Sequence, residues 1–147
     1  MKFRYSFQQI VDLKNNERTQ AEWVLSEAIG CLRNEESSLQ NLFEEKTQIH
    51  NRMVDTAANS TSISAVMLLQ DYLNHLDQQI TRKHQDIKKA QLVVDVKQEH
   101  LSQRMQDEKV WTKAREKAYQ QFQVFVAKKE QEALDEMATT RFKRLSY

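Results

Sequence analysis

Apolar residues recur along most of this chain at alternating steps of three and four, the spacing that returns one stripe of a helix to the same side every heptad. From Phe7 the stripe runs through Val11, Lys14, Arg18, Ala21, Leu25, Ala28, Leu32, Glu35, Leu39, Leu42, Lys46 and Ile49 to Met53, and 10 of these 14 positions are apolar. A second stripe starts at Val66 and passes through Leu69, Leu73, Leu76, Ile80, Lys83, Ile87, Ala90, Val94, Lys97, Leu101, Arg104, Glu108, Trp111, Arg115, Ala118 and Phe122 to Phe125, with 13 of 18 positions apolar. Neither stripe is interrupted. The spacing therefore predicts two long helices in a left-handed supercoil, because a straight helix drifts off a 3.5-residue seam.

Between the stripes lies Asp55-Thr56-Ala57-Ala58-Asn59-Ser60-Thr61-Ser62, the stretch richest in short polar side chains. Such side chains compete with helix by bonding their own backbone, so this segment is the expected turn, with Ser60 or Ser62 as N-cap of the second helix. A connection this short makes the helices antiparallel neighbours. The expected fold is all-α: two long helices forming an antiparallel coiled-coil hairpin with an overhanging C-terminal helix. It is read as a single hairpin over residues 1–147, with helix one at about 5–55, the turn at about 56–62 and helix two at about 63–142. At the helical rise these are roughly 75 and 120 Å long, so the end of helix two, past Phe7 and the region of Trp111, is expected to lack a partner within the chain.

Two registers fit the stripes, pairing residues whose numbers sum to about 115 or about 122. Both put Glu35 and Lys83 in adjacent layers, where a diagonal ion pair would specify alignment more than it stabilises. One register brings Lys97 near Arg18 and the other brings Arg104 near Arg18. Gly30 falls opposite the seam, where it costs roughly 1 kcal/mol against Ala without breaking the helix.

Composition agrees with long helices. The 147 residues include one Gly and no Pro, 29% are charged, the net charge is +1 and the mean hydropathy is -0.78. Hydrophobic residues still make up 39%, and their periodicity argues against disorder. Charge is uneven: residues 109–147 hold nine Lys or Arg against five Asp or Glu, net +4, whereas residues 1–108 hold thirteen against sixteen, net -3. A basic end steers toward an acidic partner. Nucleic acid is not expected, since Glu130, Glu132, Asp135 and Glu136 interrupt the basic stretch and no binding module is present.

Sites for chemistry are not found. Cys31 is the sole cysteine, which excludes an internal disulfide and suits a reducing compartment. His50, His75, His84 and His100 do not form a His-Glu-x-x-His motif, and one glycine cannot build a phosphate loop. The chain is therefore expected not to be an enzyme and to carry neither cofactor nor metal. Its longest apolar run, Ala65 to Leu69, is far short of a membrane span, and a cytoplasmic protein is expected. Large apolar residues off the seam are the more informative features: Trp23, Phe43, Met67, Leu68 and Tyr72 on the hairpin, Phe3 and Tyr5 before helix one, and Phe142 near the end. As a set they suggest docking surfaces.

Both termini resemble a known family. The start, Phe3-Arg4-Tyr5-Ser6-Phe7-Gln8-Gln9-Ile10-Val11-Asp12-Leu13-Lys14, followed by Glu17, Ala21, Leu25 and Ala28, is similar to the opening of the flagellar export protein FliJ family. The end, Lys128-Lys129-Glu130-Gln131-Glu132-Ala133-Leu134-Asp135-Glu136-Met137-Ala138 with Arg141 and Phe142, resembles that family's closing stretch. Length and hairpin layout agree over the whole chain, and the match points to a Gram-positive source. The resemblance implies a component of the flagellar type III export apparatus, shaped like the central stalk of rotary ATPases and needed for motility. Its implied partners are the hexameric export ATPase FliI, the export gate protein FlhA and export chaperones, met at the cytoplasmic side of the membrane at the flagellar base. On that reading Phe3, Tyr5, Phe122, Phe125, Leu134, Asp135, Glu136 and Arg141 form the ATPase-facing tip, and Trp23, Phe43, Met67, Leu68 and Tyr72 serve the gate or a chaperone. A generic coiled-coil adaptor or secretion chaperone for flagellar or virulence substrates is the alternative.

Because each stripe finds its partner within the chain, the protein is expected to be a monomer. Sedimentation at micromolar concentration checks this: a stable dimer would mean that the helices pair between chains.

Overall fold

The computed structural model describes residues 1–59 and 62–145. Two helices account for nearly all of it, α1 over Gln8–Ala58 and α2 over Ile63–Leu145, and they pair as an antiparallel hairpin with no strand among the described residues.

Local chemistry sets the helix ends. The Tyr5 carbonyl accepts from the Gln8 amide at 3.1 Å, and the Phe7 carbonyl accepts from Ile10 and Val11, closing the first turn of α1. At the start of α2 the Ser62 hydroxyl accepts from the Ala65 amide at 3.3 Å, and the Ser62 carbonyl accepts from Ala65 and Val66. Ser62 is thus the N-cap. Ser60, the other candidate, lies outside the described residues. Polar side chains inside the helices bond locally: Thr19, Thr47, Thr81 and Thr139 each donate to the carbonyl four residues before.

The helices pair along the seam that the heptads describe. In α2 every seam position from Val66 to Phe122 is buried or half-buried except Arg115, and in α1 every one from Val11 to Met53 is as well. Phe7, the first position of the stripe, precedes α1 and has half its surface exposed. The observed cross-helix partners have numbers summing to about 122, as in Glu17 with Arg104 and Lys46 with Asp77, so the higher of the two registers is adopted.

The hairpin divides into two compact units. One, Ala21–Leu101, contains the turn and a seam closed mainly by aliphatic side chains. Ala21, Leu73, Leu76, Ile80 and Val94 are buried there, Leu76 almost completely. The other unit joins Met1–Gln20 to the chain from Ser102 onward. Its buried hydrophobic residue is Val11, and ionic pairs occupy much of its seam. Arg18 Nε donates to Glu108 Oε2, Arg104 Nη1 to Glu17 Oε2 at 3.0 Å, and Lys14 Nζ lies 3.4 Å from the same Glu17 oxygen. The expected Arg18–Arg104 juxtaposition is thus resolved by a carboxylate for each arginine. Among the described residues no buried side-chain nitrogen or oxygen lacks a hydrogen bond.

Leu76→Ala should destabilise the hairpin by about 2 to 4 kcal/mol, since it removes the best-buried side chain from a seam with little else to fill the gap. Gly30→Ala should do the opposite, because Gly30 is mid-helix and a Cβ there meets nothing within 4 Å. The gain expected is about 0.5 to 1 kcal/mol. Chemical denaturation of the two variants against wild type measures both.

Candidate functional site

The candidate site residues fall into three places. On the Ala21–Leu101 unit, Phe43, Met67, Leu68 and Tyr72 are exposed in whole or large part. The Phe43 ring lies 6.2 Å edge-on to the His84 ring, and the Tyr72 ring 6.4 Å from that of His75. Leu68 and Tyr72 are one helical turn apart and share a face. Tyr72 is held by a hydrogen bond from its hydroxyl to Glu45 Oε1, which ties this stretch of α2 to α1. That bond favours the protonated phenol and raises the Tyr72 pKa above its ordinary value, with burial and the Glu45 charge adding to it.

Trp23 stands apart from these four, on the outer side of α1, and is 71% exposed. The same unit also exposes Leu92, Val93 and Val96 of α2. Sequence reasoning passed over these three, although their position off the heptad was a readable signal. Glu35 and Lys83 meet across the seam at 2.9 Å. The hydrogen bond to Glu35 raises the Lys83 pKa; burial opposes this, and the charges of Glu35 and Asp86 reinforce it.

In the other unit the chain departs from the expected bare overhang. Residues 1–7 precede α1 as a non-helical strap, and its aromatic rings lie against α2. The Phe3 ring is 5.1 Å from Tyr119 and 5.4 Å from Phe122, while Tyr5 stacks on Phe3 at 6.5 Å and meets Phe7 at 5.8 Å. Phe7 in turn lies 6.0 Å from Trp111. Such tilted and edge-to-face pairs are the favoured aromatic geometries. The strap therefore partners the helix as far as Phe122, although Tyr119 stays 43% exposed, and the expectation that the helix loses its partner just past Phe7 is corrected on this point. Heptad spacing cannot register a strap that is not helical.

Beyond Phe122 the cover ends. Phe125 is half-exposed with the Lys129 ammonium 5.6 Å over its ring, and every residue from 127 to 145 is exposed. Leu134, Asp135, Glu136 and Arg141 are all in this stretch. Asp135 Oδ1 accepts from Gln131 and the Asp135 carbonyl from Thr139, so these polar groups are satisfied within the helix. Leu134, Ala138, Phe142 and Leu145 recur at steps of four, four and three, which makes a further apolar stripe. Leu134 follows Phe125 by nine residues, about two and a half turns, so this stripe faces away from Phe125. Leu145 and Met137, both strongly exposed, belong to it or flank it and were not singled out from the sequence. Among the described residues no group of His, Cys, Asp and Glu is arranged to hold a metal, and no helix is long and apolar enough to cross a membrane. The exposed groups can bind other macromolecules through apolar rings edged by charge.

The model of the flagellar FliJ protein family matches residues 2–145. The chain belongs to this family. As a FliJ-family protein it is a component of flagellar type III export. Its fold is similar to the solved structure of a Chlamydia trachomatis protein described as a YscO homolog, with a TM-score of 0.58 over 97% of this chain and 96% of the other. At 17% identity that likeness concerns the fold alone. Among curated proteins none matches the sequence.

The two raised pKa values make these two contacts of the FliJ-family hairpin sensitive to alkaline pH. A raised folded-state pKa supplies stability that is complete below the ordinary value and disappears as pH climbs through the raised one. Both the Lys83–Glu35 and the Tyr72–Glu45 bonds should therefore be lost on the alkaline side, above about pH 10. Melting temperatures of wild type and Glu35→Gln, compared across that range, are expected to differ at neutral pH and to converge at high pH.

Proposed function

We propose that this FliJ-family chain is a non-enzymatic, stalk-like coupler between the hexameric export ATPase FliI and the export gate protein FlhA, with links to export chaperones. It works in the cytoplasm, held peripherally at the membrane beneath the flagellum. The observation that carries this reading is the final stretch of α2, where a helix exposed on all sides still bears Phe125, Leu134, Phe142 and Leu145. An isolated helix in water is only marginally stable without packing, so such a stretch is suited to a partner that surrounds it. A ring pore does so.

The tip comprises Phe125, Leu134, Asp135, Glu136 and Arg141 on the uncovered helix, standing on the aromatic base of Phe3, Tyr5 and Phe122. Burial of Phe125 in a partner contributes about 1.5 to 3 kcal/mol. Lys113, Lys117, Lys128 and Lys129 chiefly raise the on-rate toward an acidic pore. Trp23, Phe43, Met67, Leu68 and Tyr72 are left for the gate or a chaperone. Glu35 and Lys83 hold the register that keeps both sets in place.

Deleting residues 128–147 should leave the melting temperature of the hairpin almost unchanged and abolish stimulation of ATP hydrolysis by the purified export ATPase. Stimulation that survives the deletion places the tip elsewhere. Trp23→Ala should shift stability by no more than about 0.5 kcal/mol while weakening capture of the gate or a chaperone; a large melting shift instead shows a packed Trp23 and removes it from the docking set.

A further inference from the structure

The strap Met1–Phe7 belongs to neither helix, yet Phe3 and Tyr5 are half-buried. What covers Phe3 is the outer end of the α2 seam. Its ring contacts Tyr119 and Phe122, and the Arg115 guanidinium sits 5.7 Å over the ring. Arg115 Nε also donates to Gln8 Oε1 at 2.8 Å, so one arginine bridges the strap, the first turn of α1 and α2. The strap is held to α2 by side chains. Among the described residues its backbone hydrogen bonds run only into the first turn of α1, from the Tyr5 and Phe7 carbonyls. A terminal segment attached without backbone pairing opens at far lower cost than a helix or strand does.

The face beneath it is not an ordinary surface. Ala118 and Phe122 continue the same heptad stripe that pairs the helices, so the face is shaped to take an apolar helix. The strap fills that place where α1 has ended. Just past it the stripe continues, uncovered, to Phe125.

We infer that the strap is a displaceable cover: in the free protein it closes over Phe122 and lies against one edge of Tyr119, which stays 43% exposed, and it is lifted when an apolar segment of a partner takes that face. Naming the export ATPase as the partner rests on the tip reading above; the cover itself does not. A cover of this kind lowers apparent affinity by the fraction of time it is open, so one closed nine-tenths of the time weakens binding about tenfold. It also keeps the Phe122 ring from non-specific contacts until the partner is present. Lifting Phe3 frees the Arg115 guanidinium to meet an acidic group of the incoming segment.

A partner-free labelling measurement decides whether the cover exists. Because Cys31 is exposed, the reporter is Phe122→Cys in a Cys31→Ser background, labelled with N-ethylmaleimide. Deleting residues 1–6 is expected to raise the labelling rate at least about threefold, and Phe3→Ala to do the same, while Phe3→Leu, which keeps an apolar contact, falls between. Equal rates in all of these overturn the cover. Displacement is then tested with Phe122 retained, in the same Cys31→Ser background, with Phe3→Cys and Tyr119→Cys joined by a bismaleimide. The joined protein is expected to bind purified export ATPase about tenfold more weakly than the unjoined double variant, and Phe3→Ala to bind more tightly than wild type. Unchanged binding by the joined protein overturns displacement, and weaker binding by Phe3→Ala shows that Phe3 grips the partner itself and overturns it too. If wild type does not bind the ATPase at all, the tip reading fails, and the labelling rates still decide the cover.

Discussion

Everything in this molecule depends on interlocking two heptad stripes from one chain. A pair of helices encloses no interior in the usual sense; among the described residues six hydrophobic side chains, Val11, Ala21, Leu73, Leu76, Ile80 and Val94, are buried. With so few buried side chains, each knob is a large share of the packing that holds the helices together. The turn makes this thin seam workable. By joining the helices it turns a bimolecular pairing into a local one, and Ser62 gives α2 a defined start.

Apolar knobs alone do not choose an alignment, since a slide by one heptad brings leucines against leucines again. Charge makes the choice. Arg104 with Glu17 and Arg18 with Glu108 are matched in the adopted register, and Lys83 with Glu35, which either register allows, is made as well. Partly exposed pairs of this kind add little stability. Their worth is that the adopted register, which brings Arg18 and Arg104 near each other, gives each arginine its own carboxylate. The same pairs explain why the unit holding Glu17, Arg18, Arg104 and Glu108 has so little buried apolar surface and still keeps its helices in place.

The unequal lengths of α1 and α2 carry the functional consequence. With 51 residues against 83, α2 must either be covered by something other than α1 or remain bare. The chain does both: a strap of aromatic residues covers Phe122 and packs against Tyr119, and the helix beyond is exposed while retaining apolar stripes. That is a costly surface for a protein with no partner and a useful one for a FliJ-family export component. The exposed rings near Tyr72 and at Trp23 give the hairpin further surfaces that helix pairing leaves unused.

Helix number, the antiparallel arrangement, the seam positions and Ser62 as one of two cap candidates were all legible in the amino-acid sequence, because coiled-coil pairing is a one-dimensional code. Periodicity and cap chemistry act between residues a few positions apart, and the Glu35–Lys83 pair followed from counting along both stripes. The terminal segments that resemble the FliJ family were equally visible as residues. Tertiary structure decided what depends on long separations and irregular backbone. It selected the register near 122 over its neighbour, since that choice is a sum of ionic contacts between residues as far apart as Arg18 and Glu108. It placed Phe3 on Tyr119 and Phe122, because a short non-helical strap has no period to read and its position depends on which rings it meets once the helices have paired.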